Sequence, residues 1–468
     1  MIKLYNTISR RVEEFVPLVP NQVSFYSCGP TVYHYAHIGN LRSLVLMDLL
    51  KRMFLANGYA VKNVMNYTDV GHLTDDGNDG DDKMERGAAR ENKSVWDVAN
   101  FYIDSVNRDM ADLNILPPTA TPRATDFISE QIDMIKKLEG LGYTYEIPND
   151  GIYYDTSKFP NYGPLTGGGV AGHRAGARVD FNSAKRNDSD FALWKFARGE
   201  NRAMEWDSPW GRGFPGWHIE CSAMSLAILG PHFDIHTGGI DATQTHHPNE
   251  IAQSEPIVGA PWVKYWVHGE FLIDRTGGKM AKSAGEFLTL SVLKERGYDP
   301  MAYRYLLLQS NYGSQLAFSF DALDAAANGY KNLVRRISEF VGAAANDTDA
   351  ARVYKNKILD AVNDNLGTPT ALVIFGEMLR DKNLTDGEKL FVVRFVDELL
   401  GLMFIQHAEK LKESENVDVP TEILELANAR TAAKAEKDWA RADELRTAIE
   451  SKGWKITDTA DGVKITKG

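Results

Sequence analysis

Two cysteines, Cys28 and Cys221, are the only ones in this chain of 468 residues. Cys28 lies in "FYSCGPTVYHYAHIGN" (Phe25–Asn40), just before a His-Ile-Gly-Asn tetrapeptide at the mouth of a predicted strand-to-helix turn. Cys221 lies in a helical pattern, preceded by Trp217 and followed by Met224. Further on, "HHPNE" sets His246 and Glu250 four apart, so on a helix they share one face. Pro248 suits the first turn, where its missing N–H is not needed. Two thiolates, an imidazole and a carboxylate are donors that zinc accepts. The ligands do not form a compact C-x-x-C pattern. Buried free thiols and a surface His–Glu contact therefore stand beside the metal reading.

Phosphate chemistry is suggested twice. "HIGN", His37 to Asn40, places a histidine at a helix start, where free backbone N–H groups and the helix dipole favour an anion. Gly39 permits close approach of a nucleotide. "TGGKMAKS", Thr276 to Ser283, sets Lys279 and Lys282 three apart in a glycine-rich loop. Paired ammonium groups there would neutralise a departing pyrophosphate as charge develops.

These residues need a frame that brings them together. Alternation over Gln22–Ser27 predicts a strand, and "NLRSLVLMDLLKRMFLANG" a helix with Asn40 as N-cap and Gly58 as stop. "YAVKNVMNYTD" predicts a second strand, completing a strand–helix–strand unit of a parallel sheet. Two amphipathic helices follow, near Val98–Leu113 and Thr125–Leu141. Asn149-Asp150-Gly151 between aromatic-rich runs predicts a hairpin, and the chain to about Arg212 reads as an insertion without regular helix. "GWHIECSAMSLAILG" resumes helical spacing, "HFDIHTGG" a strand, and "HHPNEIAQSEPIVG" a helix. Beyond about Ser319 the pattern is helical almost to the end, where "WKITDTADGVKI" reads as a small hairpin or extended tail.

Composition is that of a globular protein, with 43% hydrophobic and 25% charged residues. The length suggests two to four domains. Two cysteines exclude a disulfide framework. No apolar run is long enough to span a bilayer, and no leader sequence is visible, so a cytoplasmic protein without a membrane is expected. A net charge of −12 weighs mildly against a nucleic-acid coat protein but does not exclude a local basic face.

The motifs together resemble the bacterial-type cysteinyl-tRNA synthetases, within class I of the aminoacyl-tRNA synthetases. "HIGN" is similar to the first class I signature, with Asn40 where many members have a second histidine. "KMAKS" is similar to the second, with Ala281 for serine. "CGPTVYHYAHIGN", "NYTDVGH", "SKFPNYGPLTGG", "SDFALWK", "GWHIECSAM", "HHPNEIAQSE" and "KDWARADELR" resemble family blocks in the same order, over nearly the whole chain. Pro248 stands for the family's glutamate in its "HHENE" block, and "HTGG" for "HGGG". The tail lacks a tryptophan common near the family's C-terminus.

The resemblance implies an α/β fold: a Rossmann-type parallel sheet with a connective insertion, followed by all-α C-terminal domains. The implied division is a catalytic domain over residues 1–115 and 213–275, interrupted by the insertion at 116–212. A stem-contact region at 276–320, a helical bundle at 321–410 and an anticodon-binding end at 411–468 follow. It implies one zinc per chain, on Cys28, Cys221, His246 and Glu250, binding the sulfur of the substrate cysteine. Thr68, Trp217 and Asp241 would contact the amino acid. His37, Gly39, Asn40, Lys279 and Lys282 would bind ATP, which brings Mg²⁺, with His37, Asn40 and the lysines acting in catalysis. The partners implied are tRNA(Cys), L-cysteine and ATP, and the state a monomer. The implied reaction is ATP-dependent ligation of cysteine to tRNA(Cys) through a cysteinyl-adenylate. One rival is a ligase joining cysteine to an amino sugar in thiol-cofactor synthesis, disfavoured by the long helical C-terminal region. Another is a zinc-stabilised RNA-binding protein without activity, disfavoured by His37 and the lysine pair. The insertion shows no hydrolytic domain that could edit a wrongly activated serine.

Overall fold

The computed structural model describes residues 1–70, 83–160, 162–163, 165, 183–197, 203–273, 288–415, 419–459 and 462–467. Its centre is a four-stranded parallel sheet. The elements that build it are β1 (Gln22–Ser27), α1 (Ile38–Ala56), β2 (Ala60–Met65), α2 (Trp217–Leu229), β3 (Phe233–Gly239), α3 (His246–Val258) and β4 (Val263–Gly269). The strand order is β4-β3-β1-β2, with every neighbouring pair parallel. Parallel strands are covered on both faces, which is why β1 buries Phe25, Tyr26 and Ser27 in succession instead of alternating strictly. Helix α1 is apolar nearly all round because it is enclosed by the sheet and by later helices. It stops at Asn57 and Gly58, the latter at φ 82°.

Chain reversal locates the crevice. From β1 the chain crosses through α1 to β2 on one side, and β3 then returns on the other side of β1. A cleft opens at such a switch point, outside the carboxyl ends of β1 and β3.

Between β2 and α2 lie helices Val95–Asp112 and Ile128–Gly140 and an antiparallel sheet of Thr144–Ile147, Gly151–Tyr154, Phe191–Phe196 and Gly213–Pro215. The expected hairpin is present: Ile147 pairs with Gly151, and Asn149 takes the left-handed conformation at φ 62°. After β4 the described chain is mainly helical, from Leu290–Glu295 and Pro300–Leu308 to Phe320–Ser338, Asp349–Asn363, Thr368–Arg380, Asp386–Leu400 and Phe404–Glu415. One apolar core runs from α1 through Leu306 and Leu323 to Leu399 and Phe404.

A buried polar node joins these parts. Asp48 of α1 pairs with Arg52 at 2.8 Å and with Arg304. Arg304 donates to the carbonyls of Leu400 and Leu113, and Arg52 to those of Glu398 and Asn114. The guanidiniums thus satisfy carbonyls at the ends of two helices. Gly401, at φ 66°, has no room for a Cβ, which would lie 2.6 Å from Arg304 Nη2.

The C-terminal unit has its own small core of Ile423, Ala427, Ile449, Trp454 and Ile456. Helices Thr421–Ala435 and Trp439–Ser451 pack on the antiparallel hairpin Trp454–Thr459/Gly462–Lys467.

Candidate metal centre and active site

β1 ends at Ser27, and Cys28 follows directly, its N–H reaching the Thr237 carbonyl of β3 at 3.2 Å. The close strand packing there requires Gly29, because a Cβ would sit 1.6 Å from the Asn66 carbonyl oxygen. Asn66 fastens the turn, accepting from the Gly29 N–H at 2.9 Å and donating to Thr68 Oγ1 at 3.1 Å. Cys221 comes from the second turn of α2, and His246 and Glu250 from the first turns of α3. Sγ of Cys28 lies 4.0 Å from Sγ of Cys221 and 3.8 Å from Glu250 Oε1. His246 Nε2 lies 3.1 Å from the same oxygen. All four donor atoms fall within 4.8 Å of one another, close enough to converge on one ion.

The structure adds histidines that spacing did not reveal. Cys28 and Glu250 also belong to a second donor set, with His236 and His247. The set with both cysteines offers two thiolates, the softer donors that suit zinc. With an ion on that set, His236 and His247 would stand behind the donors as supports. His236 Nε2 lies 2.9 Å from Glu250 Oε2, which leaves Oε1 facing the Cys28 thiol. His218 Nδ1 and His246 Nδ1 are 2.8 Å apart, fixing the ring so that Nε2 faces inward. The only clues in sequence were the doublet His246-His247 and the "HTGG" strand. Their partners come from other elements: Glu250 and His218 from helices, and His268 from β4.

Electrostatics of the bare side chains favour a cation. Burial pushes the Glu250 carboxyl up to about 8. The contact with Cys221, then burial, pushes the Cys28 thiol well above the ordinary range. His236 is pushed down to about 3, chiefly by burial, so it stays neutral. A divalent cation reverses this cost, since thiolate and carboxylate are the forms that bind it.

Other expected residues border this centre. Thr68 is buried beside Asn66. Trp217 opens α2 and packs on the His246 ring at 4.9 Å. Asp241 sits in the short turn Ile240–Thr243 after β3. His37, not Asn40, is the N-cap of α1: its Nδ1 accepts from the Asn40 N–H at 3.2 Å, and Asn40 Oδ1 accepts from the His37 N–H at 3.2 Å. The reciprocal cap places both side chains and Gly39 at the positive end of the helix. Ile38 N–H bonds the Leu288 carbonyl at 2.9 Å, so the chain re-enters the described residues beside this cap. Lys279 and Lys282 lie outside the described residues.

Residues 14–328 match the family model of the class I (C) tRNA synthetase catalytic domain. Over 99% of its length the chain is 46% identical to cysteine–tRNA ligase 1 of Burkholderia lata, covering 96% of that protein. It is 41% identical to the cysteine–tRNA ligase of Treponema denticola, with 98% of each chain covered.

The chain belongs to the cysteinyl-tRNA synthetase family.

As a member of that family it is an aminoacyl-tRNA synthetase, and the fold agrees. Mycobacterium tuberculosis methionyl-tRNA synthetase, solved with methionyl-adenylate, superposes with a TM-score of 0.56 at 15% identity, over 85% of this chain and 94% of that one. The LeuRS–tRNA–LeuAMS ternary complex of Agrobacterium radiobacter K84 gives 0.59 at 11% identity, over 87% and 86%. Both likenesses speak to the class I architecture, which this synthetase shares: a parallel sheet followed by helices. Among the described residues no helix is long and apolar enough to cross a membrane.

Proposed function

We propose that the chain activates L-cysteine with ATP as cysteinyl-adenylate, selects it through zinc, and transfers it to tRNA(Cys). The observation that carries this reading is the convergence of Cys28, Cys221, His246 and Glu250 at the sheet's switch point. Cys28, Cys221, His246 and Glu250 would hold zinc, which would bind a thiolate far more tightly than a neutral hydroxyl. Trp217 walls the amino-acid pocket, and Asp241 and Thr68 receive the ammonium and carboxylate groups. The α1 N-terminus, with His37, Gly39 and Asn40, holds the ATP phosphates.

A cysteine carboxylate oxygen attacks the α-phosphorus, and the bond to the bridging oxygen breaks. Pyrophosphate leaves with the electron pair. Lys279 and Lys282 neutralise it, with Mg²⁺ on the nucleotide. The carboxylate is already the nucleophile, so no general base is required. The terminal ribose hydroxyl then attacks the acyl carbon, and AMP departs.

Cysteine-dependent exchange of pyrophosphate into ATP, followed by cysteine charging of tRNA, tests the assignment. Both should occur with the wild-type protein, and Cys221→Ser and His246→Ala should lose cysteine activation. Exchange that proceeds without cysteine, or undiminished in both variants, would contradict it.

A further inference from the structure

We propose that Thr7, His268 and His247 form a one-directional chain of hydrogen bonds ending on the Cys28 thiolate. This makes all three positioning residues for the metal's thiolate ligand. The inference rests on the reading of Cys28 as a zinc ligand.

Four groups from four separate places meet in a line. His247 Nε2 lies 3.3 Å from Cys28 Sγ. Its other nitrogen, Nδ1, lies 2.7 Å from His268 Nε2. His268 Nδ1 lies 2.8 Å from Thr7 Oγ1. The three supporting residues are buried. Thr7 follows strand Lys3–Asn6 and is pinned to β4 by its N–H, which bonds the Trp266 carbonyl at 2.9 Å. It lies outside the stretch matched to the catalytic-domain model.

The end of the line decides its direction. A thiolate carries no proton, so His247 must donate from Nε2. A neutral imidazole has one N–H, which leaves His247 Nδ1 as an acceptor. His268 therefore donates from Nε2, and its Nδ1 must accept. Only Thr7 remains, and its hydroxyl is free to donate. Burial holds His268 neutral, pushed down to about 3, in keeping with a single N–H per ring. The hydrogen bond delivered to Sγ stabilises its lone pairs. It also fixes where the sulfur points, as supporting shells do at metal sites.

Zinc release to a chromophoric chelator, and the thiolate-to-cobalt absorption band of the Co²⁺-loaded protein, read this role apart from catalysis. His247→Leu removes the donor, whereas His247→Gln keeps an amide N–H near the sulfur. Thr7→Val keeps the shape and loses only the hydroxyl, so it carries the test if a His247 variant misfolds. The expected result is zinc release about 10–100-fold faster in His247→Leu, with the cobalt band moved to lower energy. His247→Gln should fall between wild type and His247→Leu, and Thr7→Val should shift the band in the same direction by less. Wild-type bands and release rates in both His247→Leu and Thr7→Val would overturn the proposal. So would loss of the metal in His247→Gln with retention in Cys221→Ser, which would make His247 itself a ligand. A wild-type protein that holds neither zinc nor cobalt would instead overturn the metal site beneath it.

Discussion

Lys282 is proposed to meet the pyrophosphate as it departs. A single ammonium near the departing pyrophosphate acts mainly when charge develops, so Lys282→Ala should slow adenylate formation and spare cysteine binding. The expected loss is about 3–4 kcal/mol of transition-state stabilisation, read as cysteine-dependent pyrophosphate exchange. Near-normal exchange would remove the loop from catalysis. The buried histidines bear on stability. His236 and His268 are both pushed down to about 3 by burial, whereas an unfolded histidine titrates near the ordinary 6.5. Below about pH 6.5 the unfolded chain binds protons that the folded chain refuses, so stability drains as pH falls towards about 3. Urea midpoints measured at intervals from pH 7.5 downward should fall through this window. His268→Gln should flatten the slope, and an unchanged slope would show that His268 does not supply it.

Elements, not single residues, explain how much of this was legible in the sequence. Strand β1 and the stop at Gly58 could be read because burial and left-handed backbone leave local marks. The start of α1 was read three residues late, with Asn40 as the cap. Histidine seldom caps a helix, and here it does so only because Asn40 reciprocates from the third helical position. His246 and Glu250 repeat at helical spacing, but joining them to Cys28 and Cys221 rests on the family resemblance, because the two cysteines lie far from each other in the chain. His236, His247 and His268 give no local mark, since each meets its partner on another element, His247 reaching Cys28 across 219 residues. The Asp48–Arg52–Arg304 node was equally hidden. Its charges sit on two helices in apolar surroundings, and only packing shows that they neutralise one another. Asp48→Asn keeps the size and removes the charge, leaving two buried guanidiniums with carbonyls alone. A destabilisation of about 3–5 kcal/mol is expected, seen as a lower urea midpoint. An unchanged midpoint would show that the carbonyls suffice.

For the whole molecule, we propose that the chemistry and the reading of tRNA separate along the chain. The candidate active-site residues all precede Ser283, while the segment from Thr421 onward has its own small core. Trp439 in that segment is 60% exposed, an indole free to stack on an unpaired base. Removing residues 421–468 should leave pyrophosphate exchange largely intact and abolish efficient charging. Trp439→Ala alone should weaken tRNA binding by about 1–3 kcal/mol. Charging at wild-type efficiency by the truncated chain would end that division of labour. On the proposed reading the metal, not shape, distinguishes cysteine from serine. Apolar fit to so similar a side chain is worth only about 1–3 kcal/mol, whereas a thiolate and a hydroxyl differ in kind at zinc. The direct measurement is pyrophosphate exchange with cysteine and with serine, on protein of known metal content, before and after the metal is stripped and restored. The account predicts about one zinc per chain, as a single four-ligand site requires. It predicts strong preference for cysteine in the loaded protein, loss of that preference on stripping, and recovery with zinc. A metal-free protein that still strongly prefers cysteine would contradict it.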